Sequence, residues 1–146
     1  MSLGRRDVAP SPADVRVILP HSPRAAQMAR ALARDITEGR VDPETTEETL
    51  LVVSELVTNS VIHALPPLVF ELTVTHDHTG RVGIHIEVTD GGPNFEASLL
   101  PDDEHGRGAC ITQSLARETG GSEGPAGGTH WADMIDRTSC TNRAPA

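Results

Sequence analysis

The sequence contains no lysine and no tyrosine, and its aromatic residues are one tryptophan and two phenylalanines. All 12 basic residues are therefore arginine; they stand against 21 acidic residues, which gives a net charge of −9 at pH 7. Direct nucleic-acid binding depends on cationic side chains that neutralise phosphates. This charge balance therefore argues against nucleic acid as the direct partner.

Long apolar runs and cysteines are also scarce. No run approaches the ~20 residues that span a bilayer, and the polar, proline-bearing N-terminus lacks a secretory pattern. We therefore expect no membrane partner. Cys110 and Cys140 make neither a metal-binding set nor a disulfide framework. Because cytosolic disulfides are rare, we expect two reduced thiols in a cytoplasmic protein.

The first half of the chain predicts one strand and two helices. The alternation in VRVIL predicts a strand from Val15 to Leu19. Ser22 suits the cap of a first helix, with Pro23 at its first position and Gly39 at its end. A second, largely apolar helix follows.

The second helix has clear start and stop residues. Asp42 suits its N-cap and Pro43 its first position, and Pro66-Pro67 ends it. The alternating segments LVFELTVTH and RVGIHIEVTD, joined at Thr79-Gly80, then predict a hairpin.

The last part of the chain predicts a long loop, a helix and a strand. The loop is GGPNFEASLLPDDEHGRG, and loops of that length are usually functional or disordered. ACITQSLARETG predicts a third helix that ends at Gly120, and GGTHWADMID predicts a final strand. We expect one domain over residues 14–136, with a flexible leader (1–13) and a flexible tail (137–146).

This order of elements predicts an α+β fold. We expect a two-layer α/β sandwich, with the helices on one face of a mixed, mostly antiparallel sheet.

The second helix carries a polar stripe beside its apolar face. Glu55, Asn59 and His63 follow i, i+4, i+8 spacing and so share one side, away from Val53 and Val57. Aliphatic residues border the stripe, which is unusual for a solvated face. Two interpretations remain open: an exposed edge, or a cavity wall where Glu55 and Asn59 meet a ligand.

Two glycine motifs indicate ligand binding. In the first, Asp90 ends an apolar strand and is followed by Gly91 and Gly92. Glycines let a ligand approach the backbone, and the carboxylate can accept a hydrogen bond from an amine such as that of adenine. On its own, this motif is equally typical of an ordinary turn.

The second glycine motif lies just before the predicted third helix. Gly106 and Gly108 lead into that helix, whose free N–H groups favour an anion. Arg107 between them suits a phosphate contact.

Together, these motifs resemble the GHKL ATP-binding (Bergerat) superfamily, which includes histidine kinases, DNA gyrase, mismatch-repair ATPases and heat-shock chaperones. The resemblance rests on E-x-x-x-N in a helix, D-x-G after a hairpin, a lid, a glycine pair before a helix and a final G-G-T. It covers roughly Val15 to Ile135. Within the superfamily, SELVTNSVIHA is most similar to the bacterial anti-sigma-factor serine/threonine kinases.

The resemblance implies roles for the helix residues. Asn59 matches the asparagine that holds Mg²⁺ on the ATP phosphates, and Glu55 matches the general base for attack on the γ-phosphate. His63 matches a histidine near the phosphates, and its role stays open.

The resemblance also implies roles beyond the helix. Asp90 matches the aspartate that binds the adenine amino group, and Thr129 matches the threonine that supports it. The glycines that shape the pocket and lid match Gly92, Gly106 and Gly108.

Two positions depart from the family pattern. Asn94 replaces the second glycine of D-x-G-x-G, which predicts a stiffer lid hinge. His130 occupies a place usually held by a small or β-branched residue.

The implied function is a cytoplasmic anti-sigma-type serine/threonine kinase. It would use ATP and Mg²⁺ to phosphorylate a STAS-type anti-anti-sigma partner and would sequester a sigma factor; a homodimer is expected by analogy with this branch. One alternative is a non-catalytic ATP-binding module of the same fold. Another is a detached catalytic domain of a histidine kinase, which is disfavoured because the first helix contains no phosphoacceptor histidine.

Overall fold

The computed structural model of the protein describes residues 13–96 and 111–137. All pairings between the described strands are antiparallel. Residues 111–115 are helical. No helix within the described residues is long and apolar enough to cross a membrane. The elements are β1 (Val15–Leu19), α1 (Arg24–Thr37), α2 (Pro43–His63), β2 (Leu68–His76), β3 (Val82–Asp90), β4 (Glu118–Gly124) and β5 (Gly127–Ile135). The strands lie side by side in the order β1-β2-β3-β5-β4.

The helices cover one face of this sheet, which confirms the predicted α+β sandwich. Val53 and Val57 of α2 are fully buried, as their position on the predicted apolar face requires. They share a core with Phe70 of β2 and with Ile86 and Val88 of β3. Alternate residues of these strands face the helices, because side chains alternate along a strand.

Helix α2 begins where the sequence predicts. Oδ1 of Asp42 accepts a hydrogen bond of 2.8 Å from the backbone nitrogen of Thr45, and Pro43 occupies the first helical position. Helix α1 begins at Arg24, one residue later than predicted, because Pro23 takes the cap position. The Ser22 hydroxyl still accepts a hydrogen bond from the backbone nitrogen of Arg24, at 3.2 Å.

The predicted hairpin is confirmed. Strands β2 and β3 pair from Val69↔Thr89 to His76↔Val82. Gly80 has a φ of +87° in the turn. Oδ1 of Asp77 accepts hydrogen bonds from the backbone nitrogens of Thr79 (2.8 Å) and Arg81 (3.0 Å), which close the turn.

The predicted third helix is wrong beyond residue 115. Glu118–Gly124 is a strand, β4, which pairs with β5 up to the tight turn that joins them. Its sequence, ETGGSEG, has no apolar alternation to predict a strand, so pairing with β5 decides its conformation. Gly120 is required there, because a Cβ would lie 2.5 Å from Cζ2 of the Trp131 ring.

The end of β5 is attached to the start of α2. The backbone nitrogen of Arg137 donates to Oγ1 of Thr45 at 3.0 Å, and its guanidinium lies 2.8 Å from Oε2 of Glu48. Arg137 therefore has a fixed place, although we predicted it as the first residue of a flexible tail. Apart from residues 13 and 137, the predicted leader and tail lie outside the described residues.

Candidate functional site

Backbone hydrogen bonds join the end of α2 to the turn after β3. The backbone nitrogen of Leu65 donates to the carbonyl of Gly92 at 2.8 Å, and the nitrogen of Gly91 donates to the carbonyl of Leu65 at 2.7 Å. The nitrogen of Asn94 donates to the carbonyl of His63 at 2.8 Å. These bonds fix the last turns of α2 beside the β3 carboxylate, Asp90.

A cavity of about 340 Å³ lies between α2 and strands β3, β4 and β5. This volume lies within the range of sites that bind small molecules. We call it the α2–β3 cavity. It contains four of the site residues expected from the sequence: Asn59, His63, Asp90 and Gly92. Its full lining is Leu56, Asn59, Ser60, His63, Ala64, Asp90, Gly92, Pro93, Glu123, Gly124, Gly128 and His130.

The carboxylate of Asp90 is the most enclosed charge of the cavity, with only 4% of its side chain exposed. Oδ1 accepts a hydrogen bond of 2.9 Å from the backbone nitrogen of Gly92. No group among the described residues donates a hydrogen bond to Oδ2, although Nε2 of His130 lies 4.0 Å away. A carboxylate that is this enclosed favours a hydrogen-bond donor for each of its oxygens. Oδ2 is therefore suited to the amine of a ligand.

The glycines beside Asp90 are required by the backbone. Gly92 has a φ of +111°, and a Cβ there would lie 2.7 Å from the carbonyl oxygen of Pro125. A Cβ at Gly91 would lie 2.1 Å from the carbonyl oxygen of Pro66. No non-glycine residue in the described part of the chain has a positive φ, so Asn94 sits in a conformation that asparagine adopts without strain.

Of the predicted pair on α2, Asn59 lines the cavity and Glu55 does not. Glu55 lies one turn earlier on the same side of the helix and is half-buried. Within the described residues, neither side chain has a hydrogen-bond or ion-pair partner. Both are therefore available to a ligand, with Asn59 at the cavity wall and Glu55 beyond its edge.

The sheet register separates Thr129 from Asp90. Asp90 is opposite Gly128, and Thr129 is opposite Thr89. Because side chains alternate across the sheet, Thr129 lies on the face away from the helices. The resemblance implies that Thr129 supports Asp90, but this register places the Thr129 side chain on the other face of the sheet, and His130 lies next to Asp90 instead.

Three polar lining residues were not expected as site residues from the sequence. Ser60 follows Asn59 on α2, and its buried Oγ has no hydrogen-bond partner among the residues that the structure describes. Glu123 lies on β4, where a helix and loop were predicted, and Oε2 of Glu123 is 3.3 Å from Nε2 of His130. His130 stood out in the sequence only as a departure from the family pattern.

Gly106, Arg107 and Gly108 lie outside the described residues, as does most of the predicted lid. The proposed anion site before the third helix therefore stays a prediction.

The oxygen atoms that the cavity offers as metal ligands fit Mg²⁺ only together with oxygen atoms of a bound ligand. Mg²⁺ prefers oxygen ligands and keeps several waters. The amide oxygen of Asn59 suits this preference. No group of three or more histidine, cysteine, aspartate or glutamate side chains in residues 13–96 and 111–137 is placed to hold a metal ion. Asn59 and the phosphate oxygens of a nucleotide would therefore share the ion.

A larger cavity, of about 420 Å³, lies at the opposite end of β3 and includes His85 and Asp133. Nδ1 of His85 is 2.6 Å from Oδ1 of Asp133, and Nε2 is 2.9 Å from Oε1 of Glu87. These hydrogen bonds raise the pKa of His85 above its ordinary value of 6.5, and the bond with Asp133 contributes most. Asp133 and Glu87 are already engaged by a histidine, whereas no group among the described residues donates a hydrogen bond to Oδ2 of Asp90.

The chain matches one known domain family over most of its length. A family model for the histidine kinase-like ATPase domain matches residues 19–131. No curated protein sequence matches the chain.

Two solved structures are similar to this chain to different degrees. The crystal structure of the RsbU and RsbW domains of Rv1364c from Mycobacterium tuberculosis is 21% identical, with a TM-score of 0.63 over 88% of this chain and 34% of that one. The histidine kinase domain of the blue-light activated histidine kinase from Erythrobacter litoralis EL346 is 18% identical, with a TM-score of 0.47 over 82% of this chain and 63% of that one. This chain therefore spans less than two thirds of either structure.

Proposed function

Because the chain belongs to the histidine kinase-like ATPase domain family of the GHKL superfamily, we propose that the α2–β3 cavity binds Mg-ATP for phosphotransfer to a protein serine or threonine. The observation that carries the proposal is Oδ2 of buried Asp90, to which no described residue donates a hydrogen bond. It lies in the same cavity as the side chain of Asn59, which has no partner in the described part of the chain. One end of the cavity therefore suits the base of a nucleotide, and the α2 wall suits its metal-bound phosphates.

The base end recognises an amine. Oδ2 of Asp90 accepts a hydrogen bond from the exocyclic amine of adenine, while Gly92 holds Oδ1. A carbonyl at that position of the base would face the carboxylate with no proton between them, and a buried acceptor pair without a donor is unfavourable. Asp90 therefore selects an amino-substituted base.

The phosphate end lies along α2. The oxygen of Asn59 would hold Mg²⁺ together with phosphate oxygens, and the ion would neutralise charge that develops on the transferred group. Glu55 lies one turn before Asn59 on the same side of the helix, because residues four apart are neighbours on a helix surface.

Glu55 is the proposed general base. Its carboxylate takes the proton from a serine or threonine hydroxyl as that oxygen attacks the γ-phosphorus. The new oxygen–phosphorus bond forms as the bond between the γ-phosphorus and the β,γ-bridging oxygen breaks, and ADP leaves. Glu55 has no hydrogen-bond partner among the described residues, so its carboxylate is available for this proton.

The proposed setting is bacterial anti-sigma regulation in the cytoplasm. We propose a STAS-type anti-anti-sigma protein as the phosphoacceptor and a sigma factor as the sequestered partner, with a homodimer as the expected assembly. SELVTNSVIHA supports this branch of the superfamily. The fold it shares with a structure that contains an RsbW domain is consistent with it.

Transfer of labelled phosphate tests the kinase activity. We expect the protein to label a candidate STAS protein from γ-labelled ATP with Mg²⁺. Glu55→Gln should lower the transfer rate at least about 100-fold, in the range that general bases contribute, while ATP still binds. Thr58→Ala, at an exposed neighbour on the same helix, is the matched control and should keep the wild-type rate. Full transfer by Glu55→Gln would contradict the role of Glu55.

The position of Glu55 also favours a second candidate, a non-catalytic ATP-binding regulator, because Glu55 does not line the cavity. In that case ATP binds in calorimetry, while no candidate acceptor is labelled and no ATP is hydrolysed.

A further inference from the structure

Three titratable side chains converge at the base end of the α2–β3 cavity, one from each of three neighbouring strands. They are Asp90 of β3, Glu123 of β4 and His130 of β5. Nε2 of His130 lies 3.3 Å from Oε2 of Glu123 and 4.0 Å from Oδ2 of Asp90. The histidine therefore presents Nε2 directly beside the carboxylate that the proposed function assigns to the base.

Two glycines make room for this arrangement. Gly121 of β4 is the cross-strand partner of His130, and a Cβ on Gly121 would lie 2.9 Å from Nδ1 of the imidazole. A Cβ on Gly128 would lie 3.1 Å from Oδ1 of Asp90. The Nδ1 edge of the ring therefore lies against β4, and the Nε2 edge lies toward the two carboxylates.

We propose that His130 determines base specificity together with Asp90, by donating its Nε2–H to a ring nitrogen of the bound base. The proposal rests on nucleotide binding in this cavity. Adenine carries an exocyclic amine donor with a ring-nitrogen acceptor on either side, N1 and N7. An acceptor oxygen of Asp90 beside a donor nitrogen of His130 complements either pair. The separation of 4.0 Å lets the two protein atoms contact neighbouring groups of one base.

Glu123 is a positioning residue in this account. A carboxylate beside Nε2 favours the tautomer that carries its proton on Nε2, which is the donor that the base needs. The side chain of Glu123 is 66% exposed, so the contact is weak and yields to a ligand. His63, on the α2 side of the same cavity, completes the titratable groups that line it in the described residues.

A double-mutant-type cycle tests the proposal. In it, a ring nitrogen of the ligand and the side chain of His130 are removed separately and together. Isothermal titration calorimetry measures the affinity of the wild type and of His130→Ala for ADP, 1-deaza-ADP and 7-deaza-ADP. We expect one of the two deaza analogues to bind the wild type about tenfold more weakly than ADP, the usual effect of losing one buried hydrogen bond. On His130→Ala, that analogue and ADP should bind equally.

Two further variants and one spectroscopic readout separate this role from a structural one. His130→Gln retains an N–H donor and should recover part of the discrimination, whereas His78→Ala, in the exposed hairpin turn, should leave it unchanged. With Glu123→Gln, the ¹⁵N shifts of His130 should move toward the Nδ1–H tautomer. Circular dichroism confirms that each variant is folded.

The possible failures are distinguishable. Two results would overturn the role of His130 while nucleotide binding stands. In the first, ADP binds but the deaza analogue still binds His130→Ala more weakly than ADP does. In the second, both analogues bind the wild type as tightly as ADP. If ADP does not bind the wild type, the proposed function fails and this inference fails with it.

Discussion

The backbone nitrogen of Gly92 donates a hydrogen bond of 2.9 Å to Oδ1 of Asp90. The two carboxylate oxygens therefore differ: Oδ1 closes the turn after β3, whereas Oδ2 receives no hydrogen bond from residues 13–96 or 111–137. Gly92 can make the bond because its φ of +111° is open to glycine. The turn and the proposed binding site are therefore the same structure.

Replacing Gly92 should destabilise the protein more than replacing another glycine of positive φ. Gly92→Ala adds strain and places a Cβ 2.7 Å from the carbonyl oxygen of Pro125. We expect a loss of about 3 kcal/mol in the free energy of unfolding, measured with urea. Gly80→Ala also adds strain at a positive φ, of +87°, but nothing lies within 4 Å of the new Cβ, and it should lose about 1 kcal/mol. Equal losses would show that the contact with Pro125 does not matter.

The N-cap of α2 should make a measurable contribution to stability. Asp42→Ala removes the acceptor of the hydrogen bonds from the nitrogen and hydroxyl of Thr45, both 2.8 Å. We expect a loss of about 1–2 kcal/mol in urea unfolding. Asp35→Ala, at an exposed position on α1, is the control and should change stability by less than about 0.5 kcal/mol. An unchanged free energy of unfolding in Asp42→Ala would contradict the capping role.

His85 should make stability depend on pH. The carboxylates of Asp133 and Glu87 raise its pKa in the folded state above 6.5, so folding favours the protonated imidazole. The resulting stabilisation is complete below pH 6.5 and is lost as the pH rises through the higher folded pKa. His85→Gln should therefore lower the free energy of unfolding more at about pH 5.5 than at about pH 8.5.

Urea unfolding of the wild type and of His85→Gln at these two pH values measures the effect. His76→Gln, at an exposed position on the same hairpin, is the control for general histidine titration. A difference between wild type and His85→Gln that does not change with pH would contradict the charged network around His85.

Local chemistry made the elements around the site predictable. The cap at Asp42, the Thr79-Gly80 turn and the alternation on either side of it depend on neighbours in sequence, and the structure confirms them. Asp90 was identifiable only in combination with the other motifs, because a carboxylate before two glycines is on its own equally typical of an ordinary turn. The stripe of Asn59 and His63 followed from helix geometry alone.

The rest depends on contacts between distant residues. Strand β4 has glycines where a strand normally has β-branched or aromatic residues, so only its pairing with β5 and the Trp131 ring over Gly120 explain it. The β3–β5 register decides that His130, and not Thr129, lies next to Asp90, since a shift of one residue moves a side chain to the other face. Glu123 enters the cavity for the same reason: its strand was not predicted.

Calorimetry of ATP with Mg²⁺ on the wild type and on Asp90→Asn tests the central claim most directly. The substituted amide would keep one oxygen for the Gly92 nitrogen but would direct its NH₂ group, a donor, toward the amine of the base. We predict binding to the wild type and affinity about 10- to 100-fold lower for Asp90→Asn, while Asp77→Asn, on the distant hairpin turn, binds like the wild type. Wild-type affinity in a folded Asp90→Asn variant would contradict the assignment of this cavity to ATP.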